Sequence, residues 1–256
     1  MRIGICTEAA NTGIAKKLGY DYVELAITEL VPDKPEAEFA PLRDKVLQAG
    51  LKSEACNKLF PKGMTVVGPD ANMQRATEYL EVGLARASEL GCKVVVFGSP
   101  HARQIPDGFP REKAFAQLVD IGQIMGQVAE KYGQVIAIEP LDAKLTNTIW
   151  TVQEAYELAG QIKNRRVQVL ADIYMMHVNN EPLDGMGLPG KHLVHIHVSD
   201  PDRKAPGNPQ YLTFHGEASA VLKGMGYSGR ASVEARFVDF EAEARSALAV
   251  MRQLYS

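Results

Sequence analysis

Between Lys93 and Glu139 the chain reads KVVVF (93–97), then GSPHARQIPDGFP (98–110), then a long amphipathic run from Arg111 to Tyr132, then Gly133, then VIAIE (135–139). A short β-branched run suits a buried strand, and a long run with apolar side chains at helical spacing suits a helix, so the segment reads as strand, helix, strand. That is one βα unit followed by the strand of the next, the building block of a parallel sheet. Gly133 stands where a helix stop is needed, since a glycine accepts the left-handed conformation that ends a helix.

The same alternation extends in both directions. Strand candidates are Arg2–Cys6, Tyr22–Leu25, Lys52–Cys56, Lys93–Phe97, Val135–Glu139, Val167–Ala171, Leu193–Val198 and Ala231–Glu234, eight in all. A second clear helix runs from about Ala71 to Leu90, where Leu80, Leu84, Ala87 and Leu90 repeat at helical spacing and Gly91 follows as the stop. No Pro/Ser/Gly-rich linker, composition shift or low-complexity tract divides the chain, so residues 1–256 read as one domain. Eight βα units in 256 residues predict an α/β fold of the closed (β/α)8 TIM barrel type. An open doubly wound sheet fits less well, because the first turn, Cys6-Thr-Glu-Ala-Ala-Asn11, lacks GxGxxG; GxxxxGK[ST] and GxSxG are missing as well.

Composition narrows the partners. Hydrophobic residues make up 46% and charged residues 23%, the balance of a chain able to bury a large core. With 28 Lys+Arg against 31 Asp+Glu and a net charge of -3, no basic stripe is available for a phosphate backbone, so nucleic acid is not expected as a partner. No apolar run reaches a membrane span, and the opening MRIGICTEAANTG has no signal-peptide pattern, so the expectation is a cytoplasmic protein with no membrane partner. Cys6, Cys56 and Cys92 are odd in number and far apart, which predicts reduced thiols rather than disulfides or a zinc finger.

In a barrel the chemistry gathers at the C-terminal ends of the strands. Four consecutive late strands end in Glu139 (VIAIE), Asp172 (VLAD), His197 (HIHV) and Glu234 (SVE). Adjacent strands deliver these side chains to one mouth, where three carboxylates would repel each other unless a cation joined them. Three oxygens and one nitrogen suit a hard or borderline divalent ion. Mn²⁺ is the first choice, with Mg²⁺, Co²⁺ or Zn²⁺ as alternatives. His195 and His197 alternate with Ile196 and point to the same face at different heights, so His197 is the ligand and His195 a barrel or supporting histidine.

The segments Ile138-Glu-Pro-Leu141, Leu170-Ala-Asp-Ile-Tyr174, His195-Ile-His-Val-Ser-Asp-Pro-Asp-Arg203 and Gly226-Tyr-Ser-Gly-Arg-Ala-Ser-Val-Glu234 resemble the xylose isomerase-like barrel superfamily. Within it they are similar to the sugar (phosphate) isomerase/epimerase branch, which includes ketose 3-epimerases and hydroxypyruvate isomerases. The opening Arg2-Ile-Gly-Ile and Gly19-Tyr-Asp-Tyr-Val-Glu-Leu25 fit it too. The resemblance implies one divalent metal on Glu139, Asp172, His197 and Glu234. It implies that Glu139 and Glu234 also carry protons, one removing the C–H proton beside a ketose carbonyl and the other returning one through a metal-stabilised enediolate. Arg203 matches an arginine that holds substrate oxygens. Similar proteins are often homo-oligomers, which carries over as an expectation only.

The departures matter as well. Related epimerases often place a glutamate where this chain has Leu145 and a histidine where it has Met175, and an asparagine common in the fifth loop is Trp150 here. Trp150 and Met175 therefore read as an apolar wall for a less polar substrate. Weaker candidates lie on the early strands: Glu24 ending the second, Asn57 after the third, and Ser99, His101 and Arg103 in the loop after the fourth. Of these, Glu24 and His101, with Arg203 and Trp150, are the expected substrate contacts. His215 reads equally as a surface residue at a helix start. The function expected is a metal-dependent sugar isomerase or epimerase acting on a small-molecule ketose or keto-sugar. The rivals are a lyase or dehydratase acting by β-elimination on the same scaffold, with His101 or His177 as acid, and a non-catalytic partner subunit. An abasic-site endonuclease, which shares the barrel, is disfavoured because Met175 stands where such enzymes need a histidine.

Overall fold

Val94-Val-Val-Phe97 is buried at all four positions, which is what a strand covered on both faces requires. The computed structural model describes residues 1–255. Its strands are β1 (Arg2–Cys6), β2 (Tyr22–Ala26), β3 (Ser53–Asn57), β4 (Val94–Phe97), β5 (Val135–Ile138), β6 (Val167–Asp172), β7 (Leu193–Val198) and β8 (Arg230–Val233). All pair in parallel in chain order, and β8 pairs with β1, so the barrel closes without a sheet edge. The helices α1 (Thr12–Leu18), α2 (Glu36–Ala49), α3 (Met73–Glu89), α4 (Arg111–Lys131), α5 (Val152–Ile162), α6 (Ile173–Val178), α7 (Leu212–Gly224) and α8 (Phe240–Tyr255) follow the strands in turn. The TIM barrel read from the alternation is the observed fold.

Two apolar layers result from the period-2 geometry of the strands. Tyr22, Ala55, Val94, Val96, Ala137 and Leu170 pack together inside the barrel. Their neighbours Val23, Cys56, Val95, Phe97, Ile138 and Ala171 join the larger core between barrel and helices. Tyr22 occupies so much of the interior that a Cβ on Gly4, in the adjacent strand, would lie 2.2 Å from its ring. Its hydroxyl is 2.9 Å from Ser232 Oγ, which satisfies an otherwise stranded polar atom. Of the outer helices, α3 buries Leu80, Leu84 and Ala87 as the spacing predicted. Gly91 and Gly133 take φ of +93° and +65° just beyond α3 and α4, the left-handed geometry of a helix stop.

Small shifts at the strand ends have local causes. Strands β5 and β8 stop one residue short of Glu139 and Glu234, although Glu139 N–H still donates to Phe97 O and Glu234 N–H to Val198 O. Strand β6 runs one residue further than expected, to Asp172, whose side chain then caps α6 by accepting from Tyr174 N–H at 2.8 Å. Among the described residues no helix is long and apolar enough to cross a membrane, and the three cysteines are free thiols.

Candidate active site

The inward residues of the strand ends follow from register. His197 lies opposite Asp172 on β6 and Ser232 on β8, so the same alternation that hides Leu170 inside the barrel lifts Asp172, His197 and Glu234 to its mouth. Glu139, Asp172, His197 and Glu234 each offer one ligand atom, and these atoms lie within 4.8 Å of one another. Glu139, Asp172 and His197 are buried and Glu234 is partly so.

His197 sits between two sets of carboxylates. Its Nε2 is 2.9 Å from Glu24 Oε1, while Nδ1 is 3.0 Å from Glu139 Oε1 and 3.1 Å from Glu234 Oε2. Glu24 is fully buried and its other oxygen is 2.8 Å from His195 Nε2. With its pKa raised by the surrounding carboxylates, His197 donates from both ring nitrogens in the protein alone, Nε2–H to Glu24 and Nδ1–H toward Glu139 and Glu234. The Nδ1 proton is then the positive charge that holds these carboxylates together, and a divalent ion on this N and O donor set would take its place while Glu24 keeps the proton on Nε2. The four residues therefore fit the metal the sequence implied.

Within the protein alone, other charges partly compensate. Arg203 Nη1 donates to Asp172 Oδ2 at 2.7 Å and Nη2 to Glu234 Oε2 at 2.6 Å. Its guanidinium stands 4.7 Å over the Tyr174 ring, and its backbone has φ +64°, a conformation unusual for a side chain of this size. Burial pushes Glu139 up to about 7, with the Glu234 charge adding to it. Burial acts on Glu234 in the same direction, yet Arg203 and His197 outweigh it and hold that carboxyl below the usual carboxylate range. Burial disfavours the charged forms of His197 and Glu24, but their mutual attraction prevails, keeping the His197 pKa high and the Glu24 pKa low.

The structure thus brings together the proposed ligands, Arg203 and Glu24, though Glu24 has both oxygens on histidines rather than free for a substrate. His101 is exposed on the rim of a cavity at the mouth, and Asn57 lines it. Trp150 lines neither cavity of the mouth, because its Nε1–H donates to Thr146 O at 2.8 Å and braces its own loop. Leu145 and Met175 do line both, so the apolar wall exists with Leu145 in place of Trp150.

Arg103 is not at the mouth. It is fully buried, donates from Nη2 to the backbone oxygen of Glu139 at 2.8 Å, and has its pKa pushed down to about 10 by burial. His215 is also fully buried rather than on the surface. Its Nε2 is 2.7 Å from Asp200 and its Nδ1 3.0 Å from the Tyr255 hydroxyl, so it steadies the loop that carries Arg203. His177 is exposed on α6 and packs against Phe214.

Sequence reasoning missed Cys6 and Tyr174. Cys6, Glu24 and His197 present atoms within 4.8 Å of one another, and burial holds the Cys6 thiol well above its ordinary range. The signal was available, because Cys6 is two residues after the inward Gly4 on β1. Tyr174 had none, since nothing local says that a side chain on α6 meets an arginine from the next loop.

The fold and the four-residue cluster define a barrel of the xylose isomerase-like class. The family described as xylose isomerase-like TIM barrel matches residues 13–254, and the chain belongs to it. Two curated relatives share shorter stretches. D-psicose 3-epimerase of Ruminiclostridium cellulolyticum is 27% identical over 43% of this chain and 37% of its own length. 3-Dehydro-D-guloside 4-epimerase of Escherichia coli is 30% identical over 36% of each. The matched stretches span little more than a third of these relatives. The crystal structure of D-psicose 3-epimerase from Clostridium cellulolyticum H10 with D-tagatose superposes at a TM-score of 0.86 over 100% of both chains, at 19% identity, a likeness of fold.

Proposed function

We propose that the chain is a divalent-metal-dependent sugar isomerase or epimerase that moves a proton beside the carbonyl of a ketose or keto-sugar. The observation that carries this reading is the pair Glu139 and Glu234. They come from strand ends three positions apart around the ring, yet both lie about one hydrogen-bond length from His197 Nδ1, at 3.0 and 3.1 Å. Two carboxylates that reach one mouth from separate strands can approach a substrate carbon from different directions, which is what removal and return of a proton on opposite faces requires. The family and the two sugar epimerases among the relatives support it.

Glu139, Asp172, His197 and Glu234 would hold the ion, Mn²⁺ in the first instance. When bound, it supplies polarisation of the substrate carbonyl and offsets the negative charge that grows on that oxygen. The protein's residues do the rest. One of the two glutamates takes the proton and the other gives one. Arg203, already fixed by Asp172 and Glu234, holds a substrate oxygen. Glu24 orients His197. In this reading the protein is a cytoplasmic enzyme of carbohydrate metabolism.

The test is incubation of the Mn²⁺-loaded protein in D₂O with free ketoses and keto-glycosides, followed by mass spectrometry. Solvent deuterium on carbon in a stereoisomeric product is the expected result. Glu139→Gln and Glu234→Gln should each lose about 100-fold or more in turnover while still binding some metal. Full turnover in both variants would sink the reading, and release of water or an aglycone would assign β-elimination instead.

A further inference from the structure

The mouth of the barrel divides into two wings that meet at the carboxylates. One cavity, of about 780 Å³, extends toward the ends of β1, β2 and β8 and has a mixed lining, with Thr7, Glu8, Asn11 and Arg236 beside Phe237 and Phe240. The other, of about 430 Å³, extends over β3 to β6. Both touch Glu234, Arg203, Leu145 and Met175, so a molecule held over the carboxylates reaches into either.

The second wing has an apolar floor. Phe60, Ala102, Leu141 and Met175 line it and are themselves between 1% and 6% exposed. Of its polar lining, Lys58, Lys62 and His101 are exposed at the rim, Asn57 and Ser99 are buried, and Thr28 is half-buried. Glu139, Arg203 and Glu234 bound it on the side of the carboxylates. The floor is held firmly: the Phe60 ring packs edge-on against Phe97 at 5.9 Å, and its N–H is bound by Ser99 Oγ at 3.0 Å. Ser99 Oγ is the acceptor in that bond, so its hydroxyl proton remains as one donor beside the floor. Met175 Sδ accepts from Asp142 N–H at 3.3 Å.

Leu145 stands between the wings and is 49% exposed, a large apolar side chain left in water beside the reacting centre. A sugar hydroxyl placed against the floor of Phe60, Ala102, Leu141 and Met175 would lose its water and find partners only toward Asn57 and Ser99, which costs affinity. An apolar group there would lose no hydrogen bond, and would cover Leu145 and Met175. A lone methyl group would leave most of the cavity unfilled.

We propose that the substrate is a keto-glycoside whose apolar alkyl or aryl aglycone seats in the wing floored by Phe60, Leu141 and Met175, with its hydroxyl-bearing part in the larger wing. The keto-sugar half of this statement rests on the isomerase reading above, and the aglycone half rests on the shape and lining of the cavity.

Calorimetric titration of the Mn²⁺-loaded protein with methyl, propyl and hexyl 3-keto-hexopyranosides of both anomers tests it, with deuterium uptake from D₂O followed in the same samples. Affinity should tighten by about fourfold per added methylene until the cavity is filled. Leu145→Ser, a change at a half-exposed position, and Met175→Gln should each flatten that dependence, the slope against chain length and not the affinity for any one glycoside being the readout. Affinity indifferent to chain length, or a dependence that survives both substitutions, overturns the aglycone site. Deuterium uptake separates the two ideas. Uptake with a flat chain-length series retains the isomerase reading and removes the aglycone site. A steep series without uptake supports the site and removes the isomerase reading.

Discussion

Arg203 Nη2 donates at 2.6 Å to the Oε2 of Glu234, the same oxygen that lies 3.1 Å from His197 Nδ1. A guanidinium is therefore already bonded to two of the four carboxylate and imidazole groups that fit a metal, since its other arm is on Asp172. A divalent ion entering this cluster has to share those oxygens with a fixed positive charge. At this separation and partial burial the repulsion is worth more than 1.4 kcal/mol by simple electrostatics, so about tenfold or more in affinity. Arg203→Ala should bind Mn²⁺ about tenfold or more tightly than wild type by calorimetry, yet turn over substrate more slowly. Weaker metal binding in the variant would mean that Arg203 organises the ligands rather than competing for them.

Glu24 acts one step behind the cluster. It fixes His197 through Nε2 and is buried with both oxygens on histidines. Replacement by an amide keeps the shape but removes the charge that favours a proton on Nε2. Glu24→Gln should lower Mn²⁺ affinity by about 10- to 100-fold, as loss of such a supporting carboxylate commonly does. Competition against a chelator measures it, and an unchanged constant would show that Glu24 serves the fold alone.

Gly4 and Tyr22 test the barrel interior. Since a Cβ at residue 4 would sit 2.2 Å from the Tyr22 ring, Gly4→Ala should destabilise the protein by about 1–3 kcal/mol, the usual cost of overpacking, or by more. Adding Tyr22→Leu should make the pair of changes less damaging than the sum of the two singles in urea unfolding. Strict additivity would mean that strand β1 shifts instead.

Glu181 supplies a pH dependence away from the active site. Its Oε1 accepts from Val152 N–H at 2.9 Å at the start of α5, its Oε2 is buried without a partner, and burial raises its pKa from 4.5 to about 7. With the folded value above the unfolded one, the folded state favours the protonated acid. Its contribution to stability is complete below about pH 4.5 and is lost as pH rises through about 7. Glu181→Gln keeps an acceptor for Val152 but cannot ionise. Its melting temperature should gain on wild type from pH 5 to 7.5 and hold a constant lead above that. Parallel melting curves across the range would rule this out.

Much of this arrangement could be read along the chain. The βα alternation decided the barrel because strand and helix periodicities are local properties of the chain. The four candidate ligands could be named because a strand's last inward side chain has only one place to go in a closed barrel. The absence of Trp150 from the mouth was not legible, since its indole is held by Thr146 O four residues away and the loop folds back on itself. Nor was the burial of Arg103 and His215, whose partners lie 36 to 40 residues off, at Glu139 and Tyr255.

Sequence alone therefore determined which residue types stand at which strand ends, and with them the number of carboxylates that must share a mouth. Tertiary structure alone decided how their charges are settled. Glu24 comes from a strand 173 residues before His197 to hold it, Arg203 turns back across Asp172 and Glu234, and the wall of the mouth is made of Leu145 and Met175. The reason is physical: inward direction follows from period-2 geometry within one strand, whereas ion pairing and cavity shape depend on distances between elements that only closure of the barrel sets.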